Sequence, residues 1–69
     1  MNDEKSDIPI WEKINLTVDE AVRYSNIGEN TLRRLLDEPN CSFVLFIRNR
    51  RLIKRKEFER WLAKQVFIK

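Results

Sequence analysis

Six cations, Arg48, Arg50, Arg51, Lys54, Arg55 and Lys56, crowd into positions 48–56 with no acid among them. Side chains at that density attract a polyanion, and phosphate is an anion that arginine's planar fork fits well. A second polar group stands upstream, at Asn30, Thr31, Arg33 and Arg34. Asn30 and Arg34 are four apart, so a helix puts them on one face. Arg34 can take guanine O6 and N7 together, and Asn30 can pair with adenine N6 and N7. Thr31 and Arg33, on the flanks, suit phosphate oxygens. The plainer alternative is that Arg33 and Arg34 pair with Glu29, Asp37 or Glu38 on the helix surface, for about 0.2–0.5 kcal/mol each. The two groups together favour a nucleic acid.

Other chemistry finds little material. The chain has no histidine and one cysteine, Cys41, which removes catalytic triads, zinc fingers and an internal disulfide. Asp19 and Glu20 are adjacent carboxylates, and neighbours on a helix diverge by roughly 100°. They serve a helix start better than a substrate. With a single glycine, no loop can cradle phosphates in the Gly-rich manner. The sequence therefore predicts no catalytic residue, no metal and no cofactor.

The elements that must position the cations can be read in order. At 69 residues the chain has room for one small core. Its net charge of +3 hides a balance of −4 over residues 1–38 and +7 over 39–69. No apolar run approaches a membrane span, and the polar start lacks a secretory apolar region, so an intracellular location is expected. Residues 1–7 read as a flexible arm and 8–69 as one domain. Pro9 argues for an extended segment around Ile8 and Ile10, with Trp11, Ile14 and Leu16 against the core. Thr17 and Glu20 form a capping box that opens a short helix. Ala21, Val22 and Tyr24 supply its apolar face, and Gly28 ends the run through Ile27. A second helix starts near Glu29. Leu32, Leu35 and Leu36 form its buried stripe, and Pro39 closes it.

Beyond Pro39 the period changes. Phe43–Ile47 reads as a buried strand, Arg48-Asn49-Arg50 as a tight turn with Asn49 suited to a left-handed residue, and Arg51–Ile53 as the returning strand. The hairpin tip is almost entirely basic. A last helix runs from Arg55 to Val66 with Phe58, Trp61, Leu62 and Val66 on its inner face. Val66, Phe67 and Ile68 exceed what a core needs, leaving them to dock on the body or on a partner. Helix, turn, helix, basic hairpin, helix is the order of a winged helix-turn-helix, an α+β fold.

The segments IPIWEK, LTVDEAVRYSNIGENTLRRLLDE and FVLFIRNRRLIKRKEFERWL resemble the excisionases of conjugative transposons, within the broader excisionase and MerR-like DNA-binding family. The resemblance spans residues 8 to about 62. It implies a small winged-helix protein without catalytic activity that binds and bends DNA at the ends of an integrated element. There it helps a tyrosine recombinase to excise the element. It places Asn30, Thr31, Arg33 and Arg34 on the recognition helix and Asn49, Arg50 and Arg51 on the wing. Arg48 stands where related sequences tend to carry glycine, adding a charge to the wing, while Lys54 and Arg55 extend the basic flank. The expected partners are double-stranded DNA, a tyrosine recombinase and further copies associating cooperatively on DNA, with no membrane. The second helix would enter the major groove, and the wing would meet the minor groove or backbone. The expected location is the bacterial cytoplasm, on the nucleoid. A stand-alone transcriptional regulator and a recombinase-recruiting module are the alternatives.

Overall fold

The computed structural model describes residues 8–68. The arm assigned to residues 1–7 lies outside them. Three helices and a three-stranded antiparallel sheet follow one another as β1 (Asn15–Leu16), α1 (Val18–Ser25), α2 (Glu29–Leu36), β2 (Val44–Ile47), β3 (Arg50–Lys54) and α3 (Arg55–Ala63). The sheet order is β1-β3-β2. This is the winged-helix arrangement, with β2 and β3 as the hairpin and β1 on the other edge of β3. None of the described helices is long and apolar enough to cross a membrane.

The extended segment expected near Pro9 is instead a single 3-10 turn, Ile10–Glu12. Its burial differs from the sequence reading as well. Trp11 is 61% exposed and Ile14 83%, while Leu16 is fully buried and Ile10 packs against the core. Leu16 is inside because it pairs with Ile53 across the sheet and shares its inward face. Ile14, two residues earlier, lies beyond the end of that pairing.

The capping box of α1 is formed as its residues predict. Thr17 Oγ1 accepts the Glu20 amide at 3.1 Å, and Glu20 Oε1 accepts the Thr17 amide at 3.0 Å. Lys13 closes on the same carboxylate. Burial works to raise the pKa of Glu20, but the Lys13 ammonium and the Thr17 groups outweigh it and hold it below the ordinary value.

The end of α1 corrects the role given to Gly28. Asn26, with φ 64°, takes the left-handed position, and its amide bonds to the Val22 carbonyl. Asparagine tolerates that region because its short polar side chain bonds locally. Gly28 sits two residues later as the N-cap of α2, in extended conformation, where its freedom is not needed. Only Ser25 Oγ, bonded to the Ala21 carbonyl and the Ile27 amide, intervenes in this turn.

One core joins every element. Leu16, Ala21, Leu32, Leu35, Leu36, Phe43, Ile53 and Phe58 are buried. Phe43 is its hinge: its ring centroid lies 4.9 Å from Phe58 and 5.2 Å from Trp61, both tilted, the geometry aromatic rings prefer. The strand following it is less buried than its composition implies. Phe46 is 67% exposed and Ile47 43%, because β2 runs past the core into the hairpin. Helix α3 also stops at Ala63, short of the expected Val66. Val66 and Phe67 are largely exposed, and only Ile68 of the apolar tail returns to the core.

Candidate nucleic-acid interface

Helix α2 carries the first group of predicted contacts. With Leu32, Leu35 and Leu36 inward, Asn30, Arg33 and Arg34 are exposed and Thr31 is half-buried. Arg33 Nε donates to Glu29 at 2.8 Å, the exposed i, i+4 pair that the plainer reading named. Arg34 has no ion pair among the described residues. It lines a shallow groove with Glu38, Trp61, Gln65 and Phe67, at the side where the tail passes α2.

The hairpin carries the second group, and its register decides what each cation can reach. Val44 pairs with Ile53, Leu45 with Leu52, Phe46 with Arg51 and Ile47 with Arg50. Arg48 and Asn49 are therefore the whole turn, and β3 begins at Arg50, one residue before the expected Arg51. Two-residue hairpin turns need positive φ at their first central residue. That residue is Arg48, at φ 52°, and not Asn49. A left-handed arginine costs roughly 1 kcal/mol that glycine would not. Arg48→Gly is accordingly expected to raise the thermal midpoint by about 4–8 °C. The same substitution should flatten the salt dependence of DNA binding by about 0.9 in log–log slope, the share of one phosphate contact. Thermal melts and salt titrations of the same preparation check both halves.

Side chains along a strand alternate between its faces, so Arg50 and Arg51 point to opposite sides of the hairpin. Arg50 is exposed. Arg51, with a side chain only 25% exposed, turns toward α2 and pairs with Asp37. Arg55 is also committed within the protein. Its Nε donates to the Lys13 carbonyl at 2.6 Å and its guanidinium to Glu59 at 3.0 Å, and its side chain is 13% exposed. Glu59 in turn accepts the Tyr24 hydroxyl. That bond raises the Tyr24 pKa and lowers the Glu59 pKa. Lys54 and Lys56 remain exposed, with no ion pair among the described residues.

The basic block thus divides. Arg48, Arg50, Lys54 and Lys56 face water, while Arg51 and Arg55 tie the hairpin and α3 to their neighbours. The sequence reading did not foresee these two anchors. Asp37 becomes a neighbour of Arg51 only in the fold, whereas Glu59 lies four residues from Arg55 on α3, a helical spacing that already brings the two together. Among the described residues no three His, Cys, Asp or Glu side chains come together as a metal cage would need. Cys41 is half-buried beside the core.

Comparison with known proteins converges on one family. The family model described as excisionase from transposon Tn916 matches residues 1–66. A curated protein of Streptococcus agalactiae serotype V (strain ATCC BAA-611 / 2603 V/R) carries the same description. It is 50% identical over 58 residues, which cover 83% of this chain and 87% of that protein.

Proposed function

The chain belongs to the family of excisionases from transposon Tn916, and on that premise we propose that it binds and bends the duplex ends of an integrated element to promote excision. The observation that carries the contact model is the exposure of Arg34 on α2 and of Arg48 and Arg50 at the hairpin tip, none of them in an ion pair among the described residues. Asn30 and Arg34 read base edges in the major groove, Thr31 holds a flanking phosphate, and Arg33 beside it reaches a phosphate only when released from Glu29. Arg48, Asn49 and Arg50 approach the backbone or the adjacent minor groove, where a narrow A·T-rich segment concentrates negative potential. Lys54 and Lys56, both exposed, support them with phosphate contacts. Cutting and joining of strands belong to a tyrosine recombinase, and this chain contributes binding and shape rather than catalysis. It acts on DNA in the bacterial cytoplasm, and neighbouring copies associate cooperatively along the duplex. Recruitment of the recombinase has one feature in its favour, the exposure of Val66 and Phe67 at 89% and 85%.

Footprinting on the element's two ends, with and without the recombinase, tests the reading. Protection is expected from this protein alone. Uniform binding along the duplex would defeat the sequence-specific reading. Arg34→Ala is expected to cost about 1–3 kcal/mol on the specific site and to relax base preference at one position. Lys54→Ala should weaken specific and random duplexes alike. Equal losses for Arg34→Ala on both duplexes would remove α2 as the reading helix.

A further inference from the structure

Arg51 stands in the middle of the basic block, and its surroundings give it a different task from its neighbours. It occupies the rung next to the hairpin tip, opposite Phe46. Its guanidinium reaches back to Asp37, the C-cap of α2. The Asp37 amide in turn bonds to the Arg33 and Arg34 carbonyls at 3.1 and 3.2 Å, so the acid is fixed to the last turn of that helix. Asp37, Phe46 and Arg51 line one cleft of about 460 Å³ between the helix end and the hairpin. Among the described residues, this ion pair is the one side-chain bond joining the hairpin to α2 or its cap.

We propose that the Asp37–Arg51 pair is a strut setting the angle between α2 and the hairpin, which makes Arg51 a positioning residue for DNA binding rather than a phosphate ligand. The proposal rests on the reading of α2 and the hairpin as the two DNA-contacting elements. Three observations support it. An acid at a helix C-terminus opposes the helix dipole and would repel nearby phosphates, so Asp37 is poorly placed unless a cation neutralises it. The side chain of Arg51 is only a quarter exposed, whereas Arg50 on the opposite face is open to solvent. The hairpin beyond Val44 has little core beneath it, as the exposure of Phe46 shows, so a single polar tie can govern its direction.

The decisive variant is Asp37→Asn, which keeps shape and removes the charge. If Arg51 bound phosphate, this change would release it and delete an acid, and binding would tighten. A strut predicts the reverse. On a duplex of about 30 base pairs, three helical turns, selected from a random pool by the wild-type protein, affinity should fall roughly three- to tenfold. Protection should be lost from the segment next to the groove read by α2 and kept within it. The exchange variant Asp37→Arg with Arg51→Asp should recover the footprint, whereas Arg51→Asp alone should not. Tighter or unchanged binding by Asp37→Asn, or an exchange variant no better than Arg51→Asp, overturns the strut.

Residual dipolar couplings of backbone amides supply a second measurement that needs no DNA. In the wild-type protein, the α2 and β2–β3 couplings should fit one alignment tensor. In Asp37→Asn the hairpin couplings should shrink relative to α2, and the exchange variant should restore them. Unchanged couplings in Asp37→Asn refute the strut whatever DNA does. A wild-type protein that selects no duplex, yet shows the coupling change, instead refutes the DNA reading alone.

Discussion

Raising the salt from about 50 to 200 mM should weaken the complex with duplex DNA several hundredfold. The exposed cations set that figure. Arg34, Arg48, Arg50, Lys54 and Lys56 are open to solvent without an ion pair among the described residues. Arg33, Arg51 and Arg55 already neutralise Glu29, Asp37 and Glu59. Each cation that neutralises a phosphate, by contact or from within the groove as Arg34 does, releases condensed counterions, with a slope of about −0.9 in log affinity against log salt. About five such contacts give a slope near −4.5. Counting every cation of the two groups would make the slope steeper by about 2 to 3, so the titration also measures how the basic residues divide. A slope near zero would defeat the nucleic-acid reading, and one near −7 would mean that the paired arginines are released onto DNA. Glu29→Gln tests the pairing directly, because freeing Arg33 should steepen the slope by about one contact.

What was legible in the sequence was what depends on near neighbours. The Thr17–Glu20 box closes within one turn, and the Leu32, Leu35 and Leu36 stripe needs only helical spacing, so residue types alone set both. The hairpin was legible because an apolar run must turn back once it meets three arginines and an asparagine. Its register was not. Which turn residue takes the left-handed position depends on whether Ile47 faces Arg50 or Arg51, and the observed pairing with Arg50 gives that burden to Arg48 and not to Asn49. Strand β1 is not legible at all, since two residues carry no period, and the sequence places Leu16 only against the core. Leu16 becomes a strand residue through Ile53, far along the chain. The site residues divide the same way. Arg33 and its acid are four apart, and the ion pair is the plainer alternative that the spacing itself offers. Arg51 meets an acid 14 residues away and Arg55 a carbonyl 42 residues away, which no local pattern announces.

Arg55→Ala and Arg50→Ala, two substitutions in one basic block, should separate stability from binding. Arg55 ties the loop before β1 to the start of α3. Its Nε satisfies the Lys13 carbonyl, its guanidinium pairs with Glu59, and its amide bonds to the Ile14 carbonyl. Alanine keeps the amide bond and loses the other two. It leaves a half-buried carbonyl without its donor and Glu59 with only Tyr24. Hydrogen bonds to charged groups are worth about 1.5–3 kcal/mol, and partial exposure brings the pair toward the lower end. A loss of about 2 kcal/mol is expected, which lowers the thermal midpoint by roughly 8–16 °C in a domain of this size. Arg50 makes no such bonds and is exposed, so Arg50→Ala should stay within about 0.5 kcal/mol of the parent. On DNA the order reverses. Arg50→Ala should reduce affinity and flatten the salt slope by about 0.9, with the larger loss on a duplex whose flank has a narrow A·T-rich minor groove. Arg55→Ala, assayed well below its midpoint, should keep the parental slope because the guanidinium is held within the protein by the Lys13 carbonyl and Glu59. A parental midpoint for Arg55→Ala with a flattened slope would make Arg55 a phosphate contact, and a large fall in midpoint for Arg50→Ala would make the hairpin tip part of the frame.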